Sequence, residues 1–129
     1  MSEKKRILVV DDEPDFCSIV QGQLEKEGFE VELAYNGVEG LEKTHANPPD
    51  AIVLDVMMPE MDGYEMCKEL KADQEYTDIP VLLLTAVAEN VPTTHYTTRM
   101  GMEIEAEDYI DKPVEPSELV KRIEVLLSK

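Results

Sequence analysis

Ile7-Leu8-Val9-Val10-Asp11-Asp12 sets four apolar residues against two carboxylates, and the pattern returns at Ala51-Ile52-Val53-Leu54-Asp55. A short run rich in β-branched residues, apolar at every position, suits a strand buried on both faces, as in a parallel sheet. Helix signals follow the first run. Pro14 stands where a first turn tolerates proline, Phe16, Ile19, Val20 and Leu24 recur at helical spacing, and Gly28 supplies a stop. The chain therefore opens as strand, then helix.

Outward from there the alternation continues. Phe29, Val31 and Leu33 interleave with Glu30 and Glu32, predicting a second strand with one wetter face, and a short helix carrying Val38 and Leu41 ends at Asn47-Pro48-Pro49. Beyond Asp55, the turn-like Met58-Pro59-Glu60-Met61-Asp62-Gly63 leads into a helix with Met66, Cys67 and Leu70, and Pro80 bounds the strand Val81-Leu82-Leu83-Leu84. Residues 86–107 carry mixed signals. Thr93, Thr94, Thr97 and Thr98 are weak helix formers, Pro92 interrupts, and Met102, Ile104 and Ala106 alternate with Glu103, Glu105 and Glu107. Their structure is left open. Tyr109-Ile110 reads as a short fifth strand, and Pro116 opens a last helix carrying Leu119, Ile123, Leu126 and Leu127. Strands alternating with at least four helices give right-handed βαβ units, an α/β fold whose parallel sheet is covered on both faces. One domain spanning residues 1–129 accounts for the whole length.

Charge excludes several functions. With 29 acidic against 12 basic residues the net charge is −17, which repels phosphate backbones and anionic lipid; direct nucleic-acid or membrane binding is not expected. Metal cations and basic protein surfaces are the expected partners. No stretch approaches the roughly 20 apolar residues of a membrane span. The N-terminus lacks a signal-peptide core, so a soluble, cytoplasmic protein is expected. Cys17 and Cys67 are far apart, fit a reducing compartment, and read as small core hydrophobes.

In a parallel α/β sheet, ligands bind outside the carboxyl ends of the strands. The residues closing the apolar runs are Asp11 and Asp12, Asp55, Thr85 and Lys112. Three carboxylates, a hydroxyl and an ammonium are thus predicted to meet at one edge. Carboxylates near 4 Å apart repel by about 1 kcal/mol in water, and by about four times that at an effective dielectric near 20. A cation must offset this. Hard oxygens without His or Cys, in a site with few protein ligands and room for water, suit Mg²⁺. His45 and His95 fall outside the cluster and read as surface or packing residues. A divalent ion beside a carboxylate, a lysine and a hydroxyl is equipment for phosphoryl transfer. Asp55, alone at its strand end, is the nucleophile; the adjacent Asp11 and Asp12 serve as metal ligands.

At this point Val9-Val10-Asp11-Asp12-Glu13, Leu54-Asp55-Val56-Met57-Met58-Pro59-Glu60-Met61-Asp62-Gly63, Leu84-Thr85-Ala86 and Asp108-Tyr109-Ile110-Asp111-Lys112-Pro113 together resemble the receiver domain of two-component response regulators. The likeness covers nearly the whole chain, in order. It implies a flavodoxin-like, doubly wound sheet in the order 2-1-3-4-5, and a phosphoacceptor, Asp55, served by a sensor histidine kinase or histidine phosphotransfer protein. It also implies that Asp12, Asp55 and the Met57 carbonyl hold Mg²⁺, with Asp11 joining directly or through water. Lys112 and the hydroxyl of Thr85 would contact the phosphoryl oxygens, and the Ala86 amide would add a donor. Tyr109 would be the switch aromatic, its plainer reading being half-buried strand filler, and Lys112-Pro113 a cis peptide. Output to a downstream protein target would pass through the helix after strand four, strand five and the last helix, and phosphorylation-dependent dimerisation is compatible with this. With the length filled by one receiver, output is expected to come from another molecule. The chain departs from the family between Thr85 and Lys112. These lie 27 positions apart, a few more than usual, and Glu105 stands where a glycine normally precedes Ala106, with Gly101, four residues earlier, as the candidate for that capping part.

Two other functions use similar architecture. A Mg²⁺-dependent phosphatase of the haloacid-dehalogenase kind would need an acid at Met57 to protonate the leaving group. An FMN binder would need a hydroxyl- and amide-rich loop where Asp11-Asp12-Glu13 stands. A P-loop enzyme is disfavoured because no G-x-x-x-x-G-K-[ST] occurs.

Overall fold

Alternate residues of the predicted strands point to opposite faces of one sheet, and each face carries its own core. The computed structural model describes residues 4–56, 63–86, 106–112 and 115–128. In chain order these form β1 (Arg6–Val10), α1 (Pro14–Lys26), β2 (Glu30–Ala34), α2 (Gly37–Ala46), β3 (Ala51–Asp55), α3 (Gly63–Ala72), β4 (Val81–Ala86), β5 (Asp108–Lys112) and α4 (Pro116–Leu127). All strand pairs are parallel, in the order β2-β1-β3-β4-β5. The fold class and sheet order are as the sequence implies.

On one face, Leu8, Val10, Ile52, Leu54, Val81 and Leu83 pack with Met66, Cys67 and Leu70 of α3 and with Tyr76. On the other, Ile7, Val9, Val53, Leu82, Leu84 and Ile110 pack with Cys17, Val20 and Leu24 of α1 and with Leu119, Val120 and Ile123 of α4. Both cysteines are buried, as expected. The helical stripes are narrower than their apolar residues suggest. Ile19 is 57% exposed and Val38 44% exposed, because each lies one position round the helix from the face that meets the sheet.

Local signals fix the helix ends. Pro14 and Pro116 occupy first turns, and Asn36 caps α2 by accepting the Glu39 amide at 2.8 Å. Gly28, at φ 95°, turns the chain out of α1 in the left-handed region that glycine adopts without cost. Of residues 86–107, only Ala86, Ala106 and Glu107 belong to the described part. No described helix is long and apolar enough to cross a membrane.

Candidate functional site

The strand register brings the predicted residues to one edge. Val10 pairs with Leu54, Asp55 with Leu84, Thr85 with Asp111, and Ala86 with Lys112, so the carboxyl ends of β1, β3, β4 and β5 finish side by side. Asp11 follows β1 directly. Its amide donates to the Ala34 carbonyl at 3.0 Å, its Oδ1 accepts the Glu13 amide at 2.9 Å, and its carbonyl accepts the Cys17 thiol at 3.3 Å. The first acid is thus held by β2, by the loop and by α1 together.

Asp11, Asp12 and Asp55 each offer a carboxylate oxygen within 4.8 Å of the others. Asp11 is 0% and Asp55 3% exposed, while Asp12 faces solvent. Buried anions at this separation repel strongly in a low dielectric, and one open side leaves a path for a small hydrated cation. The donor set is all hard oxygen, without His or Cys, and therefore fits Mg²⁺. His45 lies elsewhere, stacked on Tyr76 with ring centroids 5.1 Å apart. His95 lies outside the described residues.

Thr85 is 3% exposed and donates to the Ile110 carbonyl at 3.5 Å, the long limit for a hydrogen bond. Tyr109 is half-buried against the α3 face of the sheet. Burial pushes its phenol above the ordinary range, with the Cys67 thiol adding to the effect. The strands run further than the sequence reading, which ended them at Leu84 and Ile110: the backbone of Ala86 and Lys112 is still paired in the sheet, because the β4–β5 ladder continues past the apolar run. Their side chains, all of Met57, and the Lys112-Pro113 geometry lie outside the described residues.

Two side-chain hydrogen-bonding roles escaped the sequence reading. Cys17 is core, as expected, yet its thiol also reaches the Asp11 carbonyl; its spacing of six from Asp11 carried no signal for that. Lys71 on α3 is a nearly buried ammonium, its side chain 10% exposed, bonded to the Thr77 and Ile79 carbonyls at 3.0 and 2.9 Å and to Glu107 at 2.9 Å. Nothing in the periodicity of α3 distinguishes it from the exposed Lys68.

Comparison with known proteins gives a consistent picture. Residues 7–124 match the family model described as the response regulator receiver domain. The alkaline phosphatase synthesis transcriptional regulatory protein PhoP of Bacillus subtilis is 41% identical over 125 residues, covering 97% of this chain and 49% of PhoP. The DNA-binding dual master transcriptional regulator RpaA of Synechocystis is 36% identical over 124 residues, covering 96% of this chain and 49% of RpaA. This chain spans about half the length of these curated relatives. Because RpaA is by name a DNA-binding protein, the expectation of no direct nucleic-acid contact finds no support among them. The chemotaxis protein CheY4 of Vibrio cholerae superposes with a TM-score of 0.84 at 31% identity, covering 96% of this chain and 99% of that one. The haloacid-dehalogenase alternative has no support in any of these likenesses. A parallel sheet in the order 2-1-3-4-5, an acidic trio at its carboxyl edge and the match over residues 7–124 place the chain in the response regulator receiver domain family.

Proposed function

We propose that Asp55 accepts a phosphoryl group from a phosphohistidine of a sensor kinase or phosphotransfer protein. The observation that carries this reading is the nearly buried Asp55 carboxylate lying within 4.8 Å of two further carboxylates at the sheet edge. An oxygen of Asp55 attacks phosphorus in line. The new O–P bond forms as the N–P bond breaks, and the imidazole leaves with the bonding electrons and takes a proton from solvent. Asp11, Asp12, Asp55 and the Met57 carbonyl would hold Mg²⁺, which when bound supplies positive charge against the carboxylate and phosphoryl oxygens. Lys112 supplies a second positive charge, and the Ala86 amide and the Thr85 hydroxyl supply hydrogen bonds to the product.

The long bond from Thr85 to Ile110 is weak enough to be exchanged for one to a phosphoryl oxygen. Thr85 would then leave β5, and Tyr109 would turn inward. Signalling is a shift in population between these arrangements, read by a downstream protein or by a second receiver.

The test uses acetyl phosphate or phosphoramidate with Mg²⁺ and intact-mass measurement. One phosphoryl group, about 80 Da, is expected on the parent and none on Asp55→Asn. Equal labelling of that variant refutes the assignment. Rapid multiple turnover of phosphomonoesters would instead indicate a phosphatase.

A further inference from the structure

Gly63 is the buried first residue of α3, directly beside the proposed phosphoacceptor. Its amide donates to the Val56 carbonyl at 2.9 Å. A Cβ at this position would lie 2.3 Å from the Asp55 carbonyl oxygen and 2.8 Å from the Asp55 carbonyl carbon and the Val56 Cα. Gly63 is not among the left-handed residues, so contact rather than torsion demands glycine here. The obstructing atoms are backbone and cannot rotate aside. Gly40 differs: a Cβ there would meet the Cε and Sδ of Met66 at 2.9 Å, the far end of a flexible side chain, and Val10 Cγ2 at 3.0 Å. Gly22 has nothing within 4 Å.

We infer that Gly63 is a positioning residue for phosphoryl transfer: the missing side chain lets the first turn of α3 rest on the Asp55–Val56 backbone and so aims the Asp55 carboxylate. The inference rests on the phosphoacceptor reading of Asp55. Any side chain at this position must part the two segments. Ordinary contact begins at 3.4 Å, so relief from 2.3 Å requires a displacement of about 1.1 Å. Misplacing a reacting group by about 1 Å costs on the order of a hundredfold in rate.

The experiment follows phosphoryl incorporation from acetyl phosphate with Mg²⁺ across a donor series, so that maximal rate and half-saturating donor are separated. It compares the parent with Gly63→Ala, Gly40→Ala and Gly22→Ala, each corrected for its folded fraction from a circular-dichroism melt. For Gly63→Ala the maximal rate is expected to fall about ten- to a hundredfold with half-saturation little changed. Gly40→Ala is expected to melt earlier yet keep the parental rate, and Gly22→Ala to keep its rate as well. A folded Gly63→Ala that reacts at the parental rate overturns the inference. So does a rate loss that Gly40→Ala shares, since that marks a merely structural role.

If Gly63→Ala does not fold, amide exchange in the parent decides. Fluoroberyllate with Mg²⁺ should slow exchange of the Gly63 amide together with that of Val56, and slowing at Val56 alone overturns the inference. A parent that takes no phosphoryl group removes the phosphoacceptor reading itself, and the inference with it.

Discussion

Cys67 shows how one residue's chemistry is set by its surroundings. Burial, the largest cause, pushes its thiol up to about 12 from 9.0, with Lys71 opposing and Glu107 assisting. A native pKa above the unfolded one means that the stability this group contributes is complete below about pH 9 and is lost as pH rises towards 12. The urea midpoint of the parent is therefore expected to fall over that window more than that of Cys67→Ala. The same shift leaves little Cys67 thiolate near neutrality, and Cys17 is shielded by its burial, so iodoacetamide at about pH 8 should label neither cysteine in the native protein and both in denaturant. Labelling of native Cys67 at the unfolded rate would contradict its burial.

At the scale of elements, the Lys71 ammonium joins α3, the turn after it and the approach to β5. One oxygen of Glu107 takes the ammonium at 2.9 Å and the other takes the Val81 amide at 2.8 Å, so the starts of β4 and β5 are tied at the end of the sheet opposite Asp55. Hydrogen bonds to charged groups contribute about 1.5–3 kcal/mol, and a buried acceptor left without its donor adds a desolvation cost. Lys71→Met is expected to lose about 2–3 kcal/mol in urea denaturation, and Glu107→Gln less, since the amide can still accept from Val81. A loss below about 0.5 kcal/mol for Lys71→Met would show the ammonium acting as an ordinary surface charge. On the other side, Arg122 of α4 bonds Asp108 at 2.9 Å and Glu118 at 3.0 Å, fastening the last helix to the start of β5. Both ties lie at the amino ends of β4 and β5, the end of the sheet away from Asp55 and Thr85.

For the whole molecule, a net charge of −17 is a standing self-repulsion. Raising NaCl from about 0.05 to about 0.5 M shortens the screening length and should raise the melting temperature. Mg²⁺ at constant ionic strength should raise it further, because an ion bound only by the native state stabilises by about 2.7 kcal/mol at a hundredfold excess over its dissociation constant. Asp12→Asn should melt above the parent without divalent ions and gain less from Mg²⁺. An equal Mg²⁺ gain in both proteins would place the ion elsewhere.

What the sequence alone determined was the alternation of elements and the identity of the acids. Ile7–Val10 and Ala51–Leu54 could be read as doubly buried strands because burial on both faces requires apolar residues at every position. Asp11, Asp12 and Asp55 were legible because a charge ending such a run must lie at the sheet edge. What only the tertiary structure decided were the contacts across elements. Ile19 and Val38 follow helical spacing yet face outward, since the angle at which a helix meets the sheet is not written in its own periodicity. Lys71, the Cys17 thiol and Gly63 were unreadable for the same reason. Each acts on a backbone group of another element, and the distance to that group exists only once the strands have paired and the helices have packed against them.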